Sequence, residues 1–209
     1  MKVTKLEHSG LLVENNGVCL VCDPIEVEQK LPAFTNVKAV VITHVHGDHF
    51  NQAVVDRIRL GNPDVKIFTT EENAANIPDS TAVTDGDLVD VDGFDLKFFG
   101  RDHAAIIPGQ VPCQNIGVVI NGTIANPGDS FDLPPEKIEL LCVPVSGPWC
   151  KTIESINYLK DVAPKVAIPF HDAILSEFGK GINNNWLKRT AEELGTDYRP
   201  LSPGESVEI

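Results

Sequence analysis

Three histidines and one aspartate fall within the six residues His44-Val45-His46-Gly47-Asp48-His49, directly after an apolar run. Imidazole nitrogens and carboxylate oxygens are ligands that zinc, manganese and iron accept in proteins. Imidazoles two residues apart on a loop can converge on one cation, and Asp48 and His49 are then placed to serve a second cation nearby. Because sites are commonly built at strand ends, the segment predicts a metal centre rather than a polar loop with exposed histidines.

Three later residues carry the same ligand chemistry: His103, Asp129 and His171. A single histidine such as His103 is usually a surface or core residue, and Asp129 lies among turn formers in Asn126-Pro127-Gly128-Asp129. His171 directly follows the apolar segment 166–170, so a buried strand end would deliver it to a site. Taken singly, these residues leave both a ligand role and a structural role open.

Together, these residues resemble a known family. Thr43-His44-Val45-His46-Gly47-Asp48-His49 matches the T-H-x-H-x-D-H signature of the metallo-β-lactamase fold hydrolases, and His103, Asp129 and His171 follow in that family's order. The segments Leu6-Glu7-His8-Ser9-Gly10 and Leu20-Val21-Cys22-Asp23-Pro24 resemble its compact branch of ascorbate-phosphate lactonase-like predicted zinc hydrolases. The resemblance implies an αββα four-layer sandwich of the α/β (α+β) class, with two mixed β-sheets flanked by helices.

The same resemblance implies two divalent metal ions at one edge of the sandwich. His44, His46 and His103 would hold the first ion, Asp48, His49 and His171 would hold the second, and Asp129 would bridge them. Zinc is the expected ion, although this donor set also accepts manganese and iron. A hydroxide bridging the ions would be the nucleophile, and Asp48 would also accept or relay a proton.

Two residues near the N-terminus have further implied roles. His8 would lie near the metal cleft and contact the substrate or shuttle a proton. Asp23 would orient a metal-bound histidine, the alternative being a strand-ending turn with Pro24.

Substrate contacts are expected on three rim loops, at residues 24–36, 104–114 and 146–152. The indole of Trp149 could line a pocket or only cover the core edge. Arg101 and Lys151 could meet a phosphate or carboxylate, or lie on the surface. The expected partner is a small-molecule substrate, and the expected reaction is hydrolysis of a small ester, lactone or phosphoester.

Two other functions remain open: a phosphodiesterase or nuclease of the same fold, and a non-catalytic metal-binding scaffold. A net charge of −13, from 30 acidic and 17 basic residues, disfavours nucleic-acid and membrane partners. The presence of the whole implied ligand set disfavours a scaffold without activity. The segment after His103 lacks the Thr-Pro-Gly-His-Thr-Pro-Gly form of glyoxalase-like members, which disfavours thioester hydrolysis.

The five cysteines are an odd number, and MKVTKLEHSG has no apolar leader segment, so reduced thiols and a cytoplasmic location are expected. Cys19 and Cys22 lie in an apolar run where a strand points them to opposite faces, so they are interpreted as strand cysteines rather than a zinc or redox motif. A homo-oligomer is compatible with the sequence, since paired subunits are common among small enzymes.

The elements that must position the ligands are mostly strands. With 209 residues, 42% of them hydrophobic, and no linker-like segment, the chain is expected to be one domain over residues 1–209. Strands are predicted near 2–6, 10–15, 18–22, 37–43, 65–69, 88–91, 94–99, 116–120, 138–143 and 166–170, and helices near 52–60, 153–162 and 184–194. The first three strands are expected to pair antiparallel, and the late helices favour a layered sandwich over a barrel.

Overall fold

A computed structural model describes all 209 residues and contains two mixed, seven-stranded sheets. The first sheet contains β1 (Lys2–Lys5), β2 (Leu11–Asn15), β3 (Val18–Cys22), β4 (Val37–Ile42), β5 (Lys66–Thr69), β6 (Ser80–Ala82) and β14 (Ser206–Glu208). Its spatial order is β14-β1-β2-β3-β4-β5-β6. β1, β2 and β3 pair antiparallel, as predicted, whereas β3 to β6 run parallel.

The second sheet contains β7 (Leu88–Val91), β8 (Phe94–Phe99), β9 (Gly117–Ile120), β10 (Ile124–Asn126), β11 (Leu140–Pro144), β12 (Val166–Phe170) and β13 (Asp197–Tyr198). Its spatial order is β13-β12-β11-β10-β9-β8-β7. β7 to β10 form an antiparallel meander, and β10 to β13 run parallel. Each sheet therefore combines an antiparallel and a parallel half.

Four helices accompany the sheets: α1 (Gln52–Gly61), α2 (Glu71–Ala74), α3 (Thr152–Val162) and α4 (Glu177–Leu194). α1 begins where the side chain of Asn51 accepts the backbone N–H groups of Ala53 and Val54, a typical N-cap. α4 ends at Gly195, whose φ of 71° is the left-handed conformation that glycine adopts at little cost.

Apolar side chains form three buried clusters that define the layers. The largest, with 22 residues, lies between the sheets and includes Leu20 and Val41 from the first and Phe98 and Ile168 from the second. A second cluster packs α3 and α4 onto the second sheet, and a third packs α1 onto the first. Helix, sheet, sheet and helix thus follow one another, which confirms the predicted αββα sandwich.

The structure adds short elements that the sequence did not predict: α2, β6, β10, β13 and β14. These have two to four residues, too few for a clear hydrophobic period. α4 also begins at Glu177, seven residues before the predicted start. Ser176 caps it by accepting the N–H of Gly179, and the glycines in this first part of the helix interrupt the apolar period. No helix has the length and apolar composition required to cross a membrane.

Candidate metal centre

Strand ends from both sheets deliver the predicted ligands to one edge of the sandwich. His44 comes two residues after β4, Asp129 follows β10, and His171 directly follows β12. Backbone hydrogen bonds tie the sheets together here: Ile116 N–H donates to the Thr43 carbonyl (2.9 Å), and His171 N–H donates to the His8 carbonyl (3.0 Å). The loops that carry the ligands are therefore fixed to one another.

One set of side chains, called the first group below, comprises His44, His46, His103 and Asp129. Their ligand atoms all lie within 4.8 Å of one another. His44 Nε2 is 3.1 Å from His46 Nδ1, and His103 Nε2 is 3.2 Å from Asp129 Oδ2. Three imidazole nitrogens and a carboxylate oxygen thus converge, which is a donor set for a divalent transition metal.

A second group comprises His8, Asp48, His49 and His171, again within 4.8 Å. Asp48 Oδ2 lies 3.4 Å from His171 Nε2 and 3.5 Å from His8 Nε2. Asp129 connects the two groups, because its Oδ1 is 3.0 Å from His49 Nε2 and its Oδ2 is 3.0 Å from His171 Nε2. The seven candidate ligands are brought together, and Asp129 lies between the two groups.

Buried polar atoms without a hydrogen-bond partner test whether metal ions fit here. Four such atoms are buried and make no hydrogen bond: Nε2 of His49, His103 and His171, and Oδ1 of Asp129. Each of these nitrogens nevertheless lies near a carboxylate oxygen of Asp129. Buried polar groups are normally paired, so close approach without hydrogen-bond geometry indicates atoms arranged around something else. A shared cation satisfies them, and the residues therefore fit two divalent ions.

In His49 and His103, the second ring nitrogen is held by a neighbour. His49 Nδ1 is 2.8 Å from Asp23 Oδ2, and His103 Nδ1 is 2.6 Å from the Ala104 carbonyl oxygen. Both acceptors require a proton on Nδ1, which leaves the Nε2 lone pair free for a metal ion. Asp23 also accepts the backbone N–H and the hydroxyl of Thr43. This is the orienting position that the family resemblance implied for Asp23.

His46 has the opposite orientation. Its Nδ1 faces the first group, whereas its Nε2 lies 3.6 Å from the Cys113 thiol. No local pattern of residues indicates this contact, because the two residues are 67 positions apart.

A close backbone approach positions Asp129. Its N–H donates to Asn115 Oδ1 (2.9 Å), and Gly128, with φ of 63°, precedes it. A Cβ at Gly128 would lie 2.3 Å from Asn115 Oδ1, so a side chain there is excluded. Asn115 was not among the predicted site residues, because nothing in its neighbourhood distinguishes it from an ordinary polar residue before a strand.

The histidines and aspartates of the centre shift one another's pKa values. Burial disfavours protonation of His49, but Asp129 and Asp23 outweigh it and raise the pKa of His49 to about 10. The pKa of His171 is likewise raised to about 9, because Asp129 and Asp48 outweigh its burial. Burial alone would raise the pKa of Asp129, yet His49, His103 and His171 hold it well below its usual range. Without metal, protonated histidines therefore balance the carboxylates.

A cavity of about 400 Å³ opens beside the first group, next to His46 and His103. Its walls come from the predicted rim loop 104–114 and from Glu72 of α2. The apolar side chains of the lining are those of Ala104, Ile106, Ile107, Val111 and Pro112, and no lysine or arginine lines it. The cavity is thus apolar on one wall and carries an acidic group on another.

The three predicted substrate contacts lie outside this cavity. Trp149 is buried and donates its indole N–H to Asp129 Oδ2 (3.0 Å). Lys151 is exposed at the N-cap of α3, and Arg101 is exposed beside Asp102 and Asp132 in a separate depression. Nearness in sequence to a candidate ligand therefore did not place these side chains in the lining of the cavity.

Comparisons with known proteins agree with this geometry. Residues 2–171 match the family model described as "Beta-lactamase superfamily domain". Protein Rv0786c of Mycobacterium tuberculosis is 30% identical over 213 residues, which cover 99% of each chain. A UPF0173 metal-dependent hydrolase of Methanopyrus kandleri is 25% identical over 237 residues, covering 100% of each.

Among solved structures, that of Igni18, a metallo hydrolase from the archaeon Ignicoccus hospitalis, is similar with a TM-score of 0.76. It is 21% identical and covers 99% of this chain and 97% of its own, a likeness that concerns the fold. With the family model, the curated relatives and the arrangement of ligands in agreement, the chain belongs to the β-lactamase superfamily, as a metal-dependent hydrolase of the metallo-β-lactamase fold.

Proposed function

We propose that this protein hydrolyses a small, uncharged ester or lactone and uses two divalent metal ions, zinc in the first instance. The observation that carries the proposal is the position of Asp129, whose two carboxylate oxygens face histidines of both groups. When bound, the two ions would supply a hydroxide from water near neutral pH and would polarise the carbonyl group under attack.

Seven side chains would hold the two ions. His44, His46 and His103 would hold the first, His49, His171 and Asp48 the second, and Asp129 both. Asp48 differs from the other ligands because its carboxylate is half-exposed. A carboxylate open to the cleft can accept the proton of an attacking water and return it to a leaving oxygen.

The cavity beside the first group supports an uncharged substrate. A phosphoester would bring negative charge next to Glu72 and meet no basic side chain in the lining. Recognition of phosphate normally uses arginine, lysine or oriented backbone N–H groups. The apolar side chains of the rim loop instead fit a hydrocarbon substituent, so an ester or lactone is favoured over a phosphoester.

The test combines metal analysis with a small substrate panel. Protein purified without chelator is loaded separately with zinc and with manganese, and metal per chain is measured. Hydrolysis of p-nitrophenyl acetate, p-nitrophenyl butyrate, γ-lactones and bis-p-nitrophenyl phosphate is then compared. Two ions per chain and turnover of the uncharged esters or lactones are expected.

Asp129→Asn should lose metal and activity together, whereas Asp95→Asn, an exposed position on β8, should retain both. Preference for the phosphodiester would instead support the phosphodiesterase alternative. Two bound ions without turnover of any substrate would support a non-catalytic scaffold.

A further inference from the structure

We propose that His8 does not bind a metal ion but donates a hydrogen bond from Nε2 to the carboxylate of Asp48, and so positions that ligand. The inference rests on the proposed function, because it concerns the metal ion that Asp48 would hold. By distance alone His8 belongs to the second group as a candidate ligand. Its hydrogen bonding gives it a different role.

The proton of His8 is placed by its backbone partner. His8 Nδ1 accepts the backbone N–H of Ala173 at 3.0 Å. A nitrogen that accepts an N–H carries a lone pair and no proton, and an imidazolium, with protons on both nitrogens, cannot accept one. His8 is therefore the neutral tautomer with its proton on Nε2.

Two of the histidines that face the centre have the reverse arrangement. In His49 and His103, Nδ1 faces an acceptor, Asp23 or the Ala104 carbonyl, so that Nε2 presents a lone pair. His8 also directs Nε2 into the centre, but this nitrogen carries a hydrogen. A protonated nitrogen cannot coordinate a cation, whereas it can donate to a carboxylate.

Its Nε2 is buried and has no other partner. The nearest carboxylate oxygen is Asp48 Oδ2, at 3.5 Å. That separation is longer than a formed hydrogen bond. A small rotation of the half-exposed Asp48 side chain would bring the two atoms within hydrogen-bond distance. Asp48 is thus the acceptor that geometry offers to the His8 proton.

The turn that carries His8 is closed by a backbone hydrogen bond and is tightly packed. His8 has φ of 52°, Leu6 N–H donates to the Gly10 carbonyl (2.8 Å), and a Cβ at Gly10 would lie 2.9 Å from the Leu6 Cβ. The next residue, Ser9, donates its hydroxyl to the Asp48 carbonyl oxygen (2.7 Å). Consecutive residues of one turn thus contact Asp48. Ser9 donates to the Asp48 backbone carbonyl, and His8 faces the Asp48 carboxylate.

This role predicts which metal ion depends on His8. Removal of the donor would loosen Asp48, a ligand of the second group, and leave the first group intact. Loss of an outer partner of a metal ligand typically lowers affinity about 10- to 100-fold. The affinity for the ion at the second group should therefore fall by about that factor, while the affinity for the ion at the first group should not change.

The direct test is the tautomer itself. Long-range 1H–15N NMR spectra of histidine-labelled protein, with the His8 signals assigned by their loss in His8→Gln, report which ring nitrogen is protonated. We expect an unprotonated Nδ1 and a protonated Nε2, both without metal and after zinc loading. A proton on Nδ1, or loss of the Nε2 proton when zinc binds, would overturn the proposal.

Variants test the positioning role without turnover. Glutamine can present an N–H near the place of Nε2, alanine cannot, and asparagine presents its N–H near the place of Nδ1. In zinc titrations, His8→Gln should bind the second ion about as tightly as the parent protein, and His8→Ala and His8→Asn about 10- to 100-fold more weakly. Unchanged affinity in His8→Ala, or equal weakening in His8→Gln, would contradict this expectation. Circular dichroism spectra check that each variant is folded.

These measurements separate the two proposals. Two bound zinc ions without hydrolysis would overturn the proposed function, while the tautomer and the titrations would still decide the role of His8. If the parent protein bound only one zinc ion, the dinuclear proposal would fail, and the NMR experiment on metal-free protein would still test the hydrogen bond from Ala173.

Discussion

Trp149 donates its indole N–H to Oδ2 of Asp129 at 3.0 Å, deep in the metal centre. The ring is buried and lies edge-on to His103 and His171, with centroids 5.6 Å and 5.7 Å away. Gly147 makes this placement possible, because a Cβ there would lie 2.7 Å from the indole nitrogen. Trp149 therefore orients the carboxylate of Asp129 through this hydrogen bond.

Trp149→Phe keeps an aromatic ring in place and removes the N–H donor together with part of the buried indole. Because outer partners of ligands tune metal affinity, we expect kcat/KM and zinc affinity to fall about 10- to 100-fold. Trp186→Phe is the matched control, since Trp186 is half-exposed on α4. Steady-state kinetics and zinc titration of both variants check the prediction, and equal behaviour of the two would speak against a role for the indole hydrogen bond.

Asp23→Asn should affect both the metal centre and the fold. The buried Asp23 accepts from Thr43 and from His49 Nδ1, and an amide group cannot serve all these donors. We expect weaker zinc binding at the second group and a free energy of unfolding lower by about 1–3 kcal/mol. Urea unfolding of chelator-treated protein measures the second effect. The exposed Asp95→Asn serves as control, and equal stability of the two variants would contradict the prediction.

Asp48→Asn should reduce turnover more severely than loss of one histidine ligand. Asp48 would serve as metal ligand and as proton acceptor, whereas His46 would serve only as ligand. Loss of a positioned general base typically costs about 10²- to 10⁴-fold in rate. We expect a fall in kcat in that range for Asp48→Asn and a smaller one for His46→Gln at saturating zinc. A freely active Asp48→Asn enzyme would remove both roles.

The stability of metal-free protein should depend on pH through His49 and His171. Their pKa values are raised to about 10 and about 9, so the stabilisation is fully present below about pH 6.5 and is lost as pH rises through the folded values. The Tm of chelator-treated protein should therefore fall between about pH 6.5 and about pH 10. Bound zinc requires deprotonated ligands, so the Tm gained on adding zinc should increase over the same range. A chelated protein with constant Tm would show that these pairs are not formed.

Ile107 provides a test of the apolar cavity. Truncation of one wall residue should weaken binding of longer acyl groups, and a few missing methyl or methylene groups are worth about 1–3 kcal/mol, or roughly 10- to 200-fold. We expect Ile107→Ala to lower kcat/KM for a butyrate ester toward the lower end of that range and to change acetate hydrolysis little. Ile153→Ala is a matched control, because Ile107 and Ile153 are each 56% exposed. Parallel losses on both esters would exclude this wall as the acyl site.

Several features could be read from the sequence because their signals are local. The histidine segment combines ligand chemistry, fixed spacing and a preceding buried strand within a few residues. The strands with clear apolar patterns, such as β4 and β12, could be predicted for the same reason. These indicated the fold family and the candidate ligand residues.

Other features depended on contacts between distant segments. The tautomer of His8 is set by the backbone N–H of Ala173, 165 positions away, which donates to Nδ1. A backbone N–H has no residue-type signature in the sequence. Likewise, the sequence left open whether Trp149 lines a pocket or covers the core edge, and only its hydrogen bond to Asp129 shows where the indole points. The sequence by itself therefore determined which side chains are candidate metal ligands, since residue type and local spacing specify donor atoms. Only the tertiary structure decided which atoms face one another, which histidine carries its proton toward the centre and which wall of the cavity is apolar, because these depend on how separate strands and loops pack.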